Sequence, residues 1–289
     1  MTWTGRRNRR RGDELNARSP SKQIVPRQKG GADTLVLCYH AVDETWPIDL
    51  SVAEDKFERQ LDSLLSRGYQ ATTFHQAVFA PSPKRTLAIT FDDGFRSVSE
   101  RAFPLLAERG LVATVFVPTS FIDGGTPASW EGVSDWLETE HEPKMLPMTS
   151  AELLELADAG WEVGSHSCTH PHLTRLGDDE LAWELAESRR RCGELLGRPC
   201  VTLAYPYGDW NERVRRAAER AGYEAACSLP RRFPSPTPLA WPRVGILRDD
   251  SDRTFAFKVS PSLRRVRRSP LWKILDAARL TLGRLSALS

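Results

Sequence analysis

No run of about 18 apolar residues occurs in the 289-residue sequence, which excludes a transmembrane helix. The opening segment, Met1 to Gly12, is Arg-rich and lacks an apolar h-region, so it does not read as a secretory signal, and a cytoplasmic location is expected. Cysteine is scarce: Cys38, Cys168, Cys192, Cys200 and Cys227 are odd in number and scattered, with no CxxC pair. Neither a disulfide framework nor a cysteine-ligated zinc cluster is therefore indicated, and buried free thiols are expected instead. Net charge is also small, at +2, but it is unevenly spread.

Residues 1–30 hold nine Lys/Arg against Asp13 and Glu14, a net of +7, and residues 251–289 again reach +7. The body between them, 31–250, carries −12, so the basic charge sits in the tails and a nucleic-acid partner is not expected. This asymmetry divides the chain into a basic disordered tail (1–32), a folded domain (33–250) and a basic extension (251–289). In the extension Leu271, Ile274, Leu275, Ala278, Leu282 and Leu285 share one face of a candidate helix, with Leu280 on the other side. Such a helix either packs on the body or lies peripherally on an anionic membrane, which would be the inner face for a cytoplasmic protein.

Within the body, helical patterns repeatedly end at a glycine: 57–67 at Gly68, 98–109 at Gly110, 151–159 at Gly160, 181–196 at Gly197 and 212–221 at Gly222. Thr149 and Glu152 form a capping-box signature before the third. Between these helices run TLVLCYH (34–40), TLAITF (86–91), VATVFV (112–117), WEVGS (161–165), VTLAY (201–205) and YEAACS (223–228). Continuous apolar runs suit strands covered on both faces, and their alternation with helices predicts a parallel sheet in an α/β fold. About seven such units fit a distorted or incomplete (β/α) barrel, with a flavodoxin-like open sheet as the second choice. The rhythm breaks over 123–147, a long loop whose Trp130 and Trp136 serve either packing or sugar binding.

Chemistry gathers at strand ends. TFDDG (90–94) puts Asp92 and Asp93 at the mouth of a buried strand, where two carboxylates need positive compensation, although such a pair also occurs as a plain turn. HSCTH (166–170) places two imidazoles four apart after another strand, and His166, His170 and a carboxylate make a common catalytic zinc ligand set. Zn2+ is the expected divalent cation, with Co, Ni or Mn open alternatives. AYPYGDWN (204–211) brackets Tyr207 between Pro206 and Gly208 in a rigid turn able to present a ring and a backbone N–H.

TFDDG, HSxTH and a PYG turn, in this order, resemble the polysaccharide deacetylases of carbohydrate esterase family 4 over roughly residues 33–250. The resemblance implies that Asp92 is the general base, that Asp93, His166 and His170 bind the metal, and that the amide of Tyr207, after Pro206, helps hold the oxyanion. Two departures stand out. Where the family carries an Arg heading the third motif this chain has Ala204, and Arg243 in WPRVGI is the candidate replacement. The family's late Leu-x-His motif is also missing, since no histidine follows His172. Instead LVLCYHAV puts His40 at the end of the first strand, with Cys38 where Leu would stand. This resembles a circularly permuted branch of exopolysaccharide deacetylases and implies that His40 is the general acid, the alternative being a His that caps a strand-end turn. The expected activity is metal-dependent removal of acetyl from an N-acetylated saccharide. A deacylase of small N-acyl compounds and a carbohydrate-binding pseudoenzyme are the competing readings.

Overall fold

A computed structural model of the protein describes residues 33–81, 84–230 and 233–269. The basic N-terminal tail and the amphipathic helix expected from Leu271 to Leu285 lie outside the described residues. The apolar runs form the parallel strands β1 (Thr34–Tyr39), β5 (Arg85–Phe91), β6 (Thr114–Val117), β7 (Glu162–Ser165), β8 (Thr202–Ala204) and β9 (Ala225–Ser228), and β4 (Tyr69–Thr72) pairs in parallel beside β5. A small parallel pair, β2 (Ala41–Val42) with β3 (Ser51–Val52), stands apart. Two further strands, β10 (Trp241–Pro242) and β11 (Val244–Gly245), pair with β9 and β1 respectively, in the order β10-β9-β8-β7-β6-β5-β1-β11.

The two ends of that order are consecutive in the chain, separated by Arg243 alone. The Arg243 N–H donates to Ser228 O (3.0 Å) and the Ile246 N–H to Cys38 O (2.9 Å), so one segment joins both edges. The sheet is thus a nearly closed barrel, as the βα alternation predicts, and the open-sheet alternative falls away because its two terminal strands are joined through Arg243. On the far side of β5 from β1, β4 pairs along the first half and β6 along the second. Tyr69–Thr72 was not among the expected strands because YQAT is short and not continuously apolar.

Helices α1 (Glu54–Leu65), α2 (Phe74–Phe79), α3 (Phe103–Glu108), α4 (Ser150–Asp158), α5 (Asp178–Leu196) and α6 (Glu212–Ala221) cover the barrel. A π-helical turn, 98–102, leads into α3. The expected glycines, Gly68, Gly110, Gly160, Gly197 and Gly222, all adopt positive φ, and Thr149 and Glu152 form the reciprocal capping box. All five cysteines are free and buried.

Beyond the boundary expected at 250 the body continues through α7 (Asp252–Lys258) and α8 (Pro261–Arg268). Phe255 and Val259 enter the main apolar core. The buried Arg264 donates to Thr34 O (3.0 Å), Asp33 Oδ1 (2.6 Å) and Tyr69 Oη (3.1 Å), which ties α8 to the start of β1.

Candidate active site

Because the strands are parallel, the residues that follow β1, β5, β7 and β8 emerge on one face. After β5 the chain continues its ladder for one residue, with Asp92 N–H donating to Tyr39 O (2.9 Å). It then turns through two left-handed residues, Asp93 (φ 69°) and Gly94 (φ 63°). A Cβ at position 94 would lie 2.8 Å from Val117 Cγ1, so glycine is required by space as well as by φ. The turn leaves both carboxylates buried in the cleft floor, at 2% and 3% exposure.

After β7, Ser167 (φ 64°) and His170 (φ 61°) bend the HSCTH segment into a loop rather than a helical turn. The Ser165 hydroxyl accepts from Ser167 N–H (3.1 Å), and the Ser167 hydroxyl accepts from His170 N–H (3.1 Å). His166 Nδ1 lies 2.8 Å from Ala204 O; a carbonyl only accepts, so Nδ1 carries the proton and Nε2 keeps its lone pair when the ring is neutral. That Nε2 is 3.5 Å from Asp93 Oδ1, and His170 Nε2 is 3.4 Å from the same oxygen. These separations suit ligands of one tetrahedral ion, which at bond lengths of 2.0–2.1 Å lie about 3.3 Å apart. The three side chains fit a divalent cation: two imidazole nitrogens and one carboxylate, with one ring oriented by a backbone carbonyl. Burial lowers the His170 pKa to about 3, helped by the neighbouring His166. His166 moves the other way: burial opposes its charge, but Asp92 and Asp93 outweigh it and raise its pKa.

Asp92 faces the other half of the cleft. Arg243 donates from Nη1 to Oδ1 (2.6 Å) and from Nη2 to Oδ2 (2.5 Å), and its Nη1 also reaches Thr90 Oγ1 (2.9 Å). The Cys38 thiol donates to Asp92 Oδ2 (3.3 Å). Burial alone would raise the Asp92 pKa, but the Arg243 guanidinium holds it well below the usual carboxylate range. Donor atoms of Cys38, His40 and Asp92 all lie within 4.8 Å of one another, so His40 meets Asp92 from the first strand. Burial lowers the His40 pKa.

Pro206–Gly208 form a single tight turn, with Tyr207 left-handed (φ 59°) and its ring stacked 3.8 Å from that of His172. His170 is sandwiched by Trp130 (4.4 Å) and the edge of Tyr207 (4.6 Å). Trp130 and Trp136 bring the 123–147 loop onto one wall of a cleft of about 580 Å³, and Ile48 and Leu247 stand among the other lining residues. His40, Asp92, Asp93, His166, His170 and Tyr207 thus border this cleft, Arg243 reaches it through its bonds to Asp92, and Pro206 opens the turn that carries Tyr207. Cys38 and the buried Glu184, which grips the HSCTH loop, were not anticipated as site residues. Glu184 did carry a signal: it is a carboxylate inside the buried stripe Leu181, Leu185, Ser188 and Cys192.

Fold and site together define a (β/α)-barrel protein with a triad of potential metal ligands, Asp93, His166 and His170, beside an ion-paired carboxylate in one strand-end cleft. Residues 79–226, just over half the chain, match the polysaccharide deacetylase domain, and the chain belongs to that family. As a member it is a hydrolase of carbon–nitrogen amide bonds in N-acetylated sugars. YxkH of Bacillus subtilis, which carries the polysaccharide deacetylase name, is 27% identical over 225 residues, 72% of each chain. Poly-beta-1,6-N-acetyl-D-glucosamine N-deacetylase of Staphylococcus aureus is 24% identical over 216 residues, 70% of this chain and 69% of its own. The same fold occurs in the Streptococcus pyogenes deacetylase PplD in complex with acetate, with a TM-score of 0.65 at 22% identity over 79% of this chain and 98% of that one. IcaB from Ammonifex degensii shares it with a TM-score of 0.62 at 21% identity, covering 80% and 98%.

Proposed function

We propose that the protein hydrolyses the N-acetyl group of an N-acetylated sugar in a polysaccharide or glycan precursor, with Asp92 as general base and His40 as general acid. The observation that carries this is the paired floor of the cleft: an Asp93–His166–His170 triad beside an Asp92 locked by Arg243. A divalent cation, Zn2+ by the donor set, would be held by the triad and would supply Lewis acidity and acidify water.

Asp92 takes the proton of the attacking water as its oxygen bonds to the acetyl carbon, and Arg243 keeps the carboxylate ionised and aimed. The N–H of Tyr207 donates to the oxyanion, where such donors carry a large part of the stabilisation. His40 gives a proton to the nitrogen as the C–N bond breaks, leaving acetate and a free amine. Arg243 replaces the guanidinium that Ala204 lacks, and His40 takes the acid's place. The two departures from the family's pattern, Ala204 and the missing late histidine, therefore do not favour a carbohydrate-binding pseudoenzyme.

The test is acetate release from N-acetylglucosamine oligomers by wild type and Asp92→Asn, with metal analysis of both. Release by wild type alone, from metal-loaded protein, is expected. Equal release by both would remove Asp92 from the mechanism, and absence of metal from both would remove the triad's role. Peripheral contact with an anionic membrane through the C-terminal helix expected from Leu271 to Leu285 is part of this reading and predicts cosedimentation with anionic vesicles at low salt.

A further inference from the structure

We propose that Glu184 is a positioning residue that sets the loop carrying His166 and His170, and with it the affinity of the cleft for its metal ion. The inference rests on the reading of Asp93, His166 and His170 as metal ligands.

Glu184 lies on the inner face of α5 at 5% exposure. Its Oε2 accepts from the Cys168 N–H (2.7 Å) and the Thr169 N–H (3.1 Å), and its Oε1 from the Thr169 hydroxyl (2.6 Å). Among the described residues no Lys, Arg or His forms an ion pair with it. Its buried charge is therefore met by donors of the loop itself, and charge-assisted bonds of this kind are the strong ones.

One helical turn on, Ser188 Oγ lies 2.9 Å from Ser165 Oγ, immediately before His166. The same face of α5 thus grips the segment on both sides of His166. The chain adopts positive φ at Ser167, between these grips, and again at His170, directly after the second, conformations that non-glycine residues hold only where their surroundings impose them. Turning the 168 and 169 N–H groups toward α5 leaves the two flanking imidazoles facing Asp93. A carboxylate that touches no ligand atom thereby fixes the spacing of two of them. Groups that orient ligands in this way typically change metal affinity when removed.

The experiment compares wild type with Glu184→Ala, Glu184→Gln and Thr169→Val. Zn2+ affinity is measured by competition with a chromophoric chelator, the Co2+-loaded forms by their visible spectra, and the metal-free forms by hydrogen exchange of the 168 and 169 amides. Glu184→Ala is expected to weaken Zn2+ binding roughly 10–100-fold, alter the Co2+ spectrum and speed exchange at both amides. Glu184→Gln is expected to stay close to wild type, because its carbonyl can accept from both N–H groups while its NH2 faces the Thr169 hydroxyl. Thr169→Val should show the same changes as Glu184→Ala, in smaller measure.

A folded Glu184→Ala protein with wild-type affinity and exchange would overturn the proposal. So would one that melts earlier but binds Zn2+ unchanged when folded. Should that variant not fold, wild-type behaviour of Thr169→Val overturns it equally. If wild type takes neither ion, the metal reading of the cleft fails, while the exchange arm still decides whether Glu184 shapes the loop.

Discussion

Arg243 and Asp92 are both almost fully buried, so each charge is tolerable only in the presence of the other. Removing the cation strands a buried carboxylate. Arg243→Met is therefore expected to cost about 3–5 kcal/mol in urea unfolding and to abolish deacetylation. Replacing both partners, in Asp92→Leu/Arg243→Met, should recover most of that stability and none of the activity; additive losses instead would mean that the pair is not coupled. Arg243→Lys keeps the charge and loses the two-pronged fork, so activity should fall more than stability. Legibility at this scale followed chemistry that is local in sequence. The DD and HxxxH clusters announced themselves, and Arg243 was sought because Ala204 left a cation missing. Cys38 was read only as a departure at a leucine position. Its bond to Asp92, like those of Glu184 to the loop, depends on what lies across from it, which spacing does not reveal.

At the scale of elements, the cleft wall made by the 123–147 loop is pinned through Asp43. Its Oδ2 accepts from Lys144 Nζ (2.7 Å) and its Oδ1 from Thr45 N–H (2.7 Å). Burial would raise the Asp43 pKa, but the Lys144 and Thr45 hydrogen bonds outweigh it and hold the pKa at about 2. A depressed carboxylate pKa stabilises fully above its ordinary value near 3.9 and loses that contribution as pH falls through the folded value. Pepsin cleavage within 123–147 should therefore rise as pH drops from about 4 toward 2. Lys144→Met should show raised cleavage already at pH 4, and identical profiles for the two proteins would refute the pinning. The turn after β5 is a second constraint on the same wall. Gly94→Ala must hold a positive φ and push aside Val117, so a loss of at least about 1 kcal/mol in urea unfolding is expected. The long strands and glycine-terminated helices were legible because each carries its own period and stop signal. Two-residue strands such as β10 and β11 have no period to read, and only their partners make them strands.

At the scale of the whole molecule, barrel closure brings distant parts of the sequence together. Parallel pairing sets β1 between β5 and β11, which places His40 and Arg243 beside Asp92, although 203 positions separate the first two. The resemblance to a permuted branch implied the place of His40, whereas composition and charge set the domain's end at 250. The basic stretch after 250 looked like a tail because Arg264, Arg265, Arg267 and Arg268 dominate it. In the fold Arg264 is spent inside, where its guanidinium meets Asp33 and Tyr69, while Phe255 and Val259 join the core. Burying side chains of that size contributes about 1.5–3 kcal/mol each. A chain ending at 250 is therefore expected to be at least about 3–6 kcal/mol less stable in urea than one ending at 269 from the loss of Phe255 and Val259, and Arg264→Ala in the full chain is expected to cost roughly 2 kcal/mol separately. Equal midpoints for the two lengths would restore the boundary at 250. A lower midpoint for the shorter chain would make α7 and α8 part of the barrel. The start of β1 would then depend on a helix more than 220 residues downstream, and with it the strand that delivers His40 to the cleft.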